Sequence, residues 1–118
     1  MKPTLIEFTR FTDEVRRLSK KYPHLENDLK NFYPDFLDNP LLRADAIPGF
    51  ERKLWKIRVR STDQQRGKSG GFRVIFYVHE SRPEAVHLLT IYPKSEREDL
   101  SGKELLELYK RFLVAKKV

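Results

Sequence analysis

Residues 54–78 read LWKIRVRSTDQQRGKSGGFRVIFYV, two alternating runs on either side of a polar loop. In the first run Trp55, Ile57 and Val59 recur at period two, so an extended chain sends them to one face and Lys56, Arg58 and Arg60 to the other. In the second run Phe72, Val74, Phe76 and Val78 share one parity, while Arg73, Ile75 and Tyr77 share the other. The pattern predicts a hairpin. Its connection of roughly ten residues carries Arg66, Lys68 and the Gly70-Gly71 pair, a flexible basic loop and not a tight two-residue turn. Lysine and arginine are ordinary choices on a solvated strand face. Three in alternation with no carboxylate among them make a positive stripe.

Working outward toward the C-terminus, the polar turn HESRPE leads to a third strand over about 85–92, AVHLLTIY, and then to the charged loop PKSEREDL. Ser101 and Glu104 have the spacing of a capping box, and Leu105, Leu108, Tyr109, Phe112 and Leu113 form the apolar stripe of a terminal helix. Toward the N-terminus, TLIEF suits a short strand. Phe11, Val15, Leu18 and Tyr22 predict a helix over about 12–21, with Thr12 as N-cap and Pro23 as its stop. Leu25, Leu29, Phe32 and Phe36 repeat that spacing in a second helix, in which Pro34 is expected to force a break or kink near Tyr33. The segment 39–49, NPLLRADAIPG, reads as a connector. The order is strand, two helices, three strands, helix, which predicts an α+β fold with helices over a small antiparallel sheet. No repeat or composition shift divides the chain, so residues 1–118 are read as one domain.

The chain carries 24 Lys and Arg against 17 Asp and Glu, a formal charge of +7. Residues 52–73 concentrate this excess: Arg52, Lys53, Lys56, Arg58, Arg60, Arg66, Lys68 and Arg73 face a single carboxylate, Asp63. A polyanionic partner is therefore expected, nucleic acid first. The second basic cluster, Lys110, Arg111, Lys116 and Lys117, suits a helix C-terminus. Cysteine is absent, which removes disulfides, thiol nucleophiles and thiolate metal sites and fits the cytoplasm. No apolar segment of signal-peptide or membrane-span length is seen. His24, His79 and His87 show no metal-ligand spacing, although the last two, on adjacent strands, have a way to meet. The triplet Gly67-Lys68-Ser69 lacks the earlier glycine of a phosphate loop, since that position is Thr62.

A cationic sheet face is sufficient equipment for cutting RNA. The ribose 2′-hydroxyl is an internal nucleophile, so a protein need only move protons and stabilise a phosphorane-like transition state. Arginine suits that stabilisation because it stays charged and grips phosphate oxygens in a fork. A lysine among other cations, as Lys56 is in sequence, has its pKa lowered and becomes a conceivable general base. Tyr77 or Tyr92 offers a ring for stacking on a base, or else packs at the sheet edge.

The succession LWKIRVRS, KSGGFRVIFYV and LLTIYPKSEREDLS, with DNPLLRADAIPG ahead of it, resembles the RelE/HigB family of bacterial toxins over roughly residues 1–112. The resemblance implies a small antiparallel sheet with two N-terminal helices on one face and a C-terminal helix. It also implies a ribosome-dependent, metal-independent mRNA endoribonuclease without cofactors, monomeric when free, oligomeric with an acidic co-expressed antitoxin. Carried over by position, Arg73 is assigned to the transition-state phosphate, Lys56 or Lys94 to proton transfer, and Arg58 and Arg60 to positioning the RNA. Arg66 and Lys68 are assigned to ribosomal RNA or to a merely solvated loop. RelE proper has a basic residue where this chain has Ser95 and a late tyrosine where it has Ser101. Glu96 is an alternative base, or else pairs with Arg97. Two other readings share the fold: a ParE-like poison of DNA gyrase, and an inactive module that only binds antitoxin.

Overall fold

A computed structural model describes residues 2–64 and 70–116. Its elements run β1 (Thr4–Glu7), α1 (Thr9–Leu18), α2 (Leu25–Asp38), β2 (Asp45–Ala46), β3 (Leu54–Val59), β4 (Phe72–His79), β5 (Arg82–Pro93) and α3 (Gly102–Lys116). The five strands form one sheet in the order β1-β5-β4-β3-β2. The α+β class and the antiparallel β3-β4-β5 core match the sequence reading. The sheet as a whole is mixed, because β1 runs parallel to β5. A second addition is β2, a two-residue strand inside the expected connector, which pairs antiparallel with Trp55 and Lys56.

Alternation in β3 and β4 does what period two requires. Trp55, Ile57, Val59, Phe72, Val74, Phe76 and Val78 enter one apolar layer together with Phe11, Leu18, Leu25, Leu29 and Phe36 from α1 and α2. Each fully buried Phe, Leu or Ile in it contributes about 1.5–3 kcal/mol through removal from water. On the opposite face Leu54, Ile75, Tyr77, Leu89 and Tyr92 pack with Leu100, Leu108 and Phe112, so α3 covers the sheet from the other side. A bulge makes this possible on β5: Ile75 pairs with Thr90 but Phe76 with Leu88, and the skipped Leu89 turns toward α3.

The N-terminal helix starts earlier than Thr12. Parallel pairing carries the chain in extended form as far as Phe8, whose N–H donates to the Leu88 carbonyl at 2.9 Å, and the helix begins at the next residue. Thr12 sits in the first turn, where its hydroxyl donates to the Glu7 carboxylate at 2.9 Å. The helix also ends before Pro23, at Leu18, with the Ser19 hydroxyl donating to the Val15 carbonyl at 2.7 Å. Nor does Pro34 divide α2. It lies exposed on the outer face, where water can solvate the carbonyl that its missing N–H would have engaged. On the inner face Phe32 stacks on Phe36 at 4.9 Å, and Phe36 meets Phe76 edge-on at 5.0 Å, holding both halves to the sheet. The capping box at α3 is present: Glu104 N–H donates to Ser101 Oγ at 3.1 Å and Ser101 N–H to Glu104 Oε1 at 3.0 Å. Among the described residues no helix is long and apolar enough to cross a membrane.

Candidate nucleic-acid interface

Strand register decides which cations meet. Arg58 on β3 lies directly opposite Arg73 on β4, and Arg73 lies directly opposite Tyr92 on β5, so the three form one row across the α3 side of the sheet. In the next row Lys56 pairs with Ile75 and Ile75 with Thr90. The apolar cluster beneath α3 takes in Ile75 and Tyr77 but not Arg73. Two arginines face to face across an antiparallel pair repel each other. Arg73 is partly buried there, and burial first, then the Arg58 charge, lowers its pKa below the ordinary arginine value. Its Nη1 donates to the carbonyls of Gly70 and Phe72, both at 3.3 Å, which holds the guanidinium close to the strand end.

Gly71 fixes the geometry next to this row. Its φ of +81° suits glycine, and a Cβ at this position would stand 2.6 Å from the Val59 carbonyl oxygen on the neighbouring strand. The Gly71 carbonyl accepts from the Lys94 N–H at 3.0 Å, which ties the segment after β5 to the start of β4 and brings Lys94 to the basic end of the sheet.

The structure adds a residue that sequence reasoning passed over. Asp99, in the segment between β5 and α3, accepts from Lys56 Nζ at 2.5 Å and from the Tyr92 hydroxyl at 3.4 Å, both on Oδ1. The Lys56 hydrogen bond, ahead of every other influence, depresses the Asp99 carboxyl, and the Lys94 charge acts in the same direction. Lys56, Tyr92 and Asp99 line one cleft of about 270 Å³ together with Ile75, Leu100 and Leu105. The expectation of a Lys56 with only cations for neighbours is therefore corrected: its closest charge is a carboxylate 43 residues further along the chain. Such a partner leaves no trace in a local charge count.

Other expected site residues are placed as follows. Arg60 is exposed just past the end of β3. Arg66 and Lys68 lie outside the described residues. Tyr77 is not a stacking platform, because it is 3% exposed and its ring already packs against Phe112 at 4.8 Å and Tyr109 at 6.2 Å. Tyr92 is 4% exposed, so it too presents its hydroxyl and not its face. Burial, then Asp99, pushes that hydroxyl up to about 12, which keeps it a neutral donor. Glu96 does not line the Lys56 cleft; it lines a smaller recess with Arg10, Glu14 and Arg17 of α1. Nor is it the carboxylate held by Arg97, whose Nη1 and Nη2 both grip Glu104 while its Nε donates to the Asp99 carbonyl at 3.3 Å. His79 and His87 have different cross-strand partners, Arg82 and Tyr77, and His87 is packed edge-on against Phe112 at 5.0 Å.

No family model matches the sequence. Solved structures do match the fold. A mutant of the Escherichia coli toxin RelE with two arginines changed to alanine, in the free state, superimposes with a TM-score of 0.61 at 22% identity, over 94% of this chain and 98% of that chain. The toxin–antitoxin complex RelBE2 from Mycobacterium tuberculosis gives a TM-score of 0.58 at 15% identity, over 77% of this chain and 96% of the matched chain. The chain therefore has the fold of the RelE toxins, in agreement with the architecture that the sequence resemblance implied.

Proposed function

We propose that this protein is the toxin of a type II toxin–antitoxin pair and acts as a ribosome-dependent mRNA endoribonuclease. The Arg58–Arg73 opposition, with Lys56 and Lys94 beside it, is the observation that carries the reading. An anion placed between two cations that repel each other offsets their repulsion, and a phosphodiester is such an anion. The 2′-hydroxyl attacks phosphorus, the bond to the 5′-oxygen breaks, and the charge growing on the non-bridging oxygens falls to Arg73 and Arg58. No metal is needed to make the nucleophile, because the substrate carries it. Lys56 or Lys94 moves the proton. Glu96, which lines a separate recess with Arg10, Glu14 and Arg17, is given no part in this reading. Arg60, with Arg66 and Lys68, guides the RNA and the ribosomal RNA around it. The partner that silences the protein is an acidic antitoxin segment laid across the cationic face; the free toxin is a cytoplasmic monomer that becomes oligomeric with its antitoxin. The Mycobacterium tuberculosis neighbour, seen as a toxin–antitoxin complex, supports that partnership.

The test is in vitro translation of a defined mRNA with wild-type protein and with Arg73→Ala, mapping 5′ ends by primer extension and repeating the reaction without ribosomes. Cuts that require ribosomes and disappear with Arg73→Ala are expected. Intact mRNA in every lane overturns the reading, and a gyrase supercoiling assay then decides whether the fold serves a ParE-like poison.

A further inference from the structure

We infer that Asp99 is an internal stand-in for the RNA phosphate: in the free protein its carboxylate occupies the seat formed by Lys56 Nζ and the Tyr92 hydroxyl, and bound RNA displaces it. This rests on the RNA-cleaving function proposed above. One oxygen, Oδ1, receives both donors, at 2.5 and 3.4 Å, which is how a single non-bridging phosphate oxygen would sit on them. The Lys94 charge also acts on Asp99, and Asp99 in turn acts on Arg73, so the carboxylate lies within electrostatic reach of the cationic row. A surface position suits exchange: the Lys56 side chain is 30% exposed and that of Asp99 55%, and ion pairs at such exposure are held by little net free energy.

The backbone at Asp99 is fastened independently of its side chain. Arg97 Nε holds the Asp99 carbonyl, its other nitrogens hold Glu104, and Glu104 closes the capping box with Ser101. Asp99 can thus swing out of the cleft without unfolding the start of α3. The consequence is selectivity. A stray anion gains little by replacing a carboxylate already seated on Lys56. A phosphodiester that also engages Arg58 and Arg73 replaces it with a net gain.

The experiment measures binding of a fluorescent single-stranded 2′-O-methyl RNA, which lacks the internal nucleophile and stays intact, to wild-type protein over a range of salt. Asp99→Asn is expected to bind about tenfold tighter at low salt, because the Lys56–Asp99 ion pair no longer has to be broken before phosphate can take its place. Glu98→Gln removes the same charge one residue away and is expected to give a clearly smaller change. On a Lys56→Ala background the Asp99→Asn gain is expected to fall to the Glu98→Gln level. If wild-type binding is lost in Arg73→Ala but Asp99→Asn gains no more than Glu98→Gln, the stand-in idea is overturned while the RNA reading survives. If no variant binds, or Arg73→Ala binds as wild type does, the stand-in idea is overturned, and the ribosome-dependent reading stands or falls on the translation assay above.

Discussion

Along β4, Phe72, Val74, Phe76 and Val78 point into the layer beneath α1 and α2, whereas Arg73, Ile75 and Tyr77 point toward α3. The first face is closed along its whole length. On the second, the apolar cluster under α3 holds Ile75 and Tyr77 and leaves out Arg73, which stands in a row with Arg58 and Tyr92. One strand thus builds a dry core with one parity, and with the other it divides between core and cationic site. The difference teaches that stability and chemistry are separable here at a spacing of a few residues, and substitutions on β4 can break that claim.

The largest expected effect on folding is at Phe76, fully buried and in edge contact with Phe36. Phe76→Ala is expected to cost about 3–5 kcal/mol in urea denaturation. A cost below about 1 kcal/mol would mean that the closed face does not dominate stability. Three residues earlier, Arg73→Ala is expected to lower ribosome-dependent cleavage by about 10²–10³-fold, the cost of losing one preorganised donor to a developing anion. Its stability is expected to stay within about 1 kcal/mol of wild type, because the change also relieves repulsion with Arg58. A large loss of stability in Arg73→Ala would erase the distinction between the two faces.

Gly71 belongs to both sides of the comparison. Its left-handed φ and the 2.6 Å approach to the Val59 carbonyl make Gly71→Ala strained, with an expected cost of about 1–3 kcal/mol. Since the Gly71 carbonyl also receives the Lys94 N–H, cleavage is expected to fall with it. Full cleavage by a destabilised Gly71→Ala would show that the placement of Lys94 is not part of the chemistry.

The closed face was legible in the sequence because period two in Trp55-Ile57-Val59 and Phe72-Val74-Phe76 is local, and so were the capping box of α3 and the apolar stripe of α2. Alternation names a face but not what covers it. Arg73 and Tyr77 share a parity, and only the packing of α3 separates a cation left outside the apolar cluster from a buried ring. The pairing of β1 with β5 and the bulge at Leu89 depend on partners distant in sequence, as does the contact of Asp99 with Lys56. Three cations at every second residue were readable; the carboxylate that meets one of them was not.

The smallest expected effect concerns the join between the two sides, where the loop leaving β3 is clasped to the start of α2. Asp63 accepts from the His24 backbone N–H at 2.9 Å and meets its Nδ1 at 2.6 Å, while Asp28 of α2 accepts from the Thr62 N–H at 2.9 Å and from its hydroxyl. The hydrogen bond to Asp63 raises the His24 imidazole above its ordinary 6.5, and the same contact lowers the Asp63 carboxyl below 3.8. A raised histidine contributes stability fully below its unfolded value and loses that contribution as pH rises through the folded value. A lowered carboxyl contributes above its unfolded value and loses that contribution as pH falls through the folded one. The charged clasp is therefore complete between about pH 4 and 6.5 and weakens above that window. The backbone N–H of His24 does not titrate, so Asp63 keeps one partner at every pH of interest. Melting temperatures of wild type and Asp63→Asn are expected to differ most near pH 6 and to converge partway toward pH 9. A difference that stays constant across that range would show that the clasp works through the neutral hydrogen bonds alone, and that the join between the two sides carries no charge-dependent component.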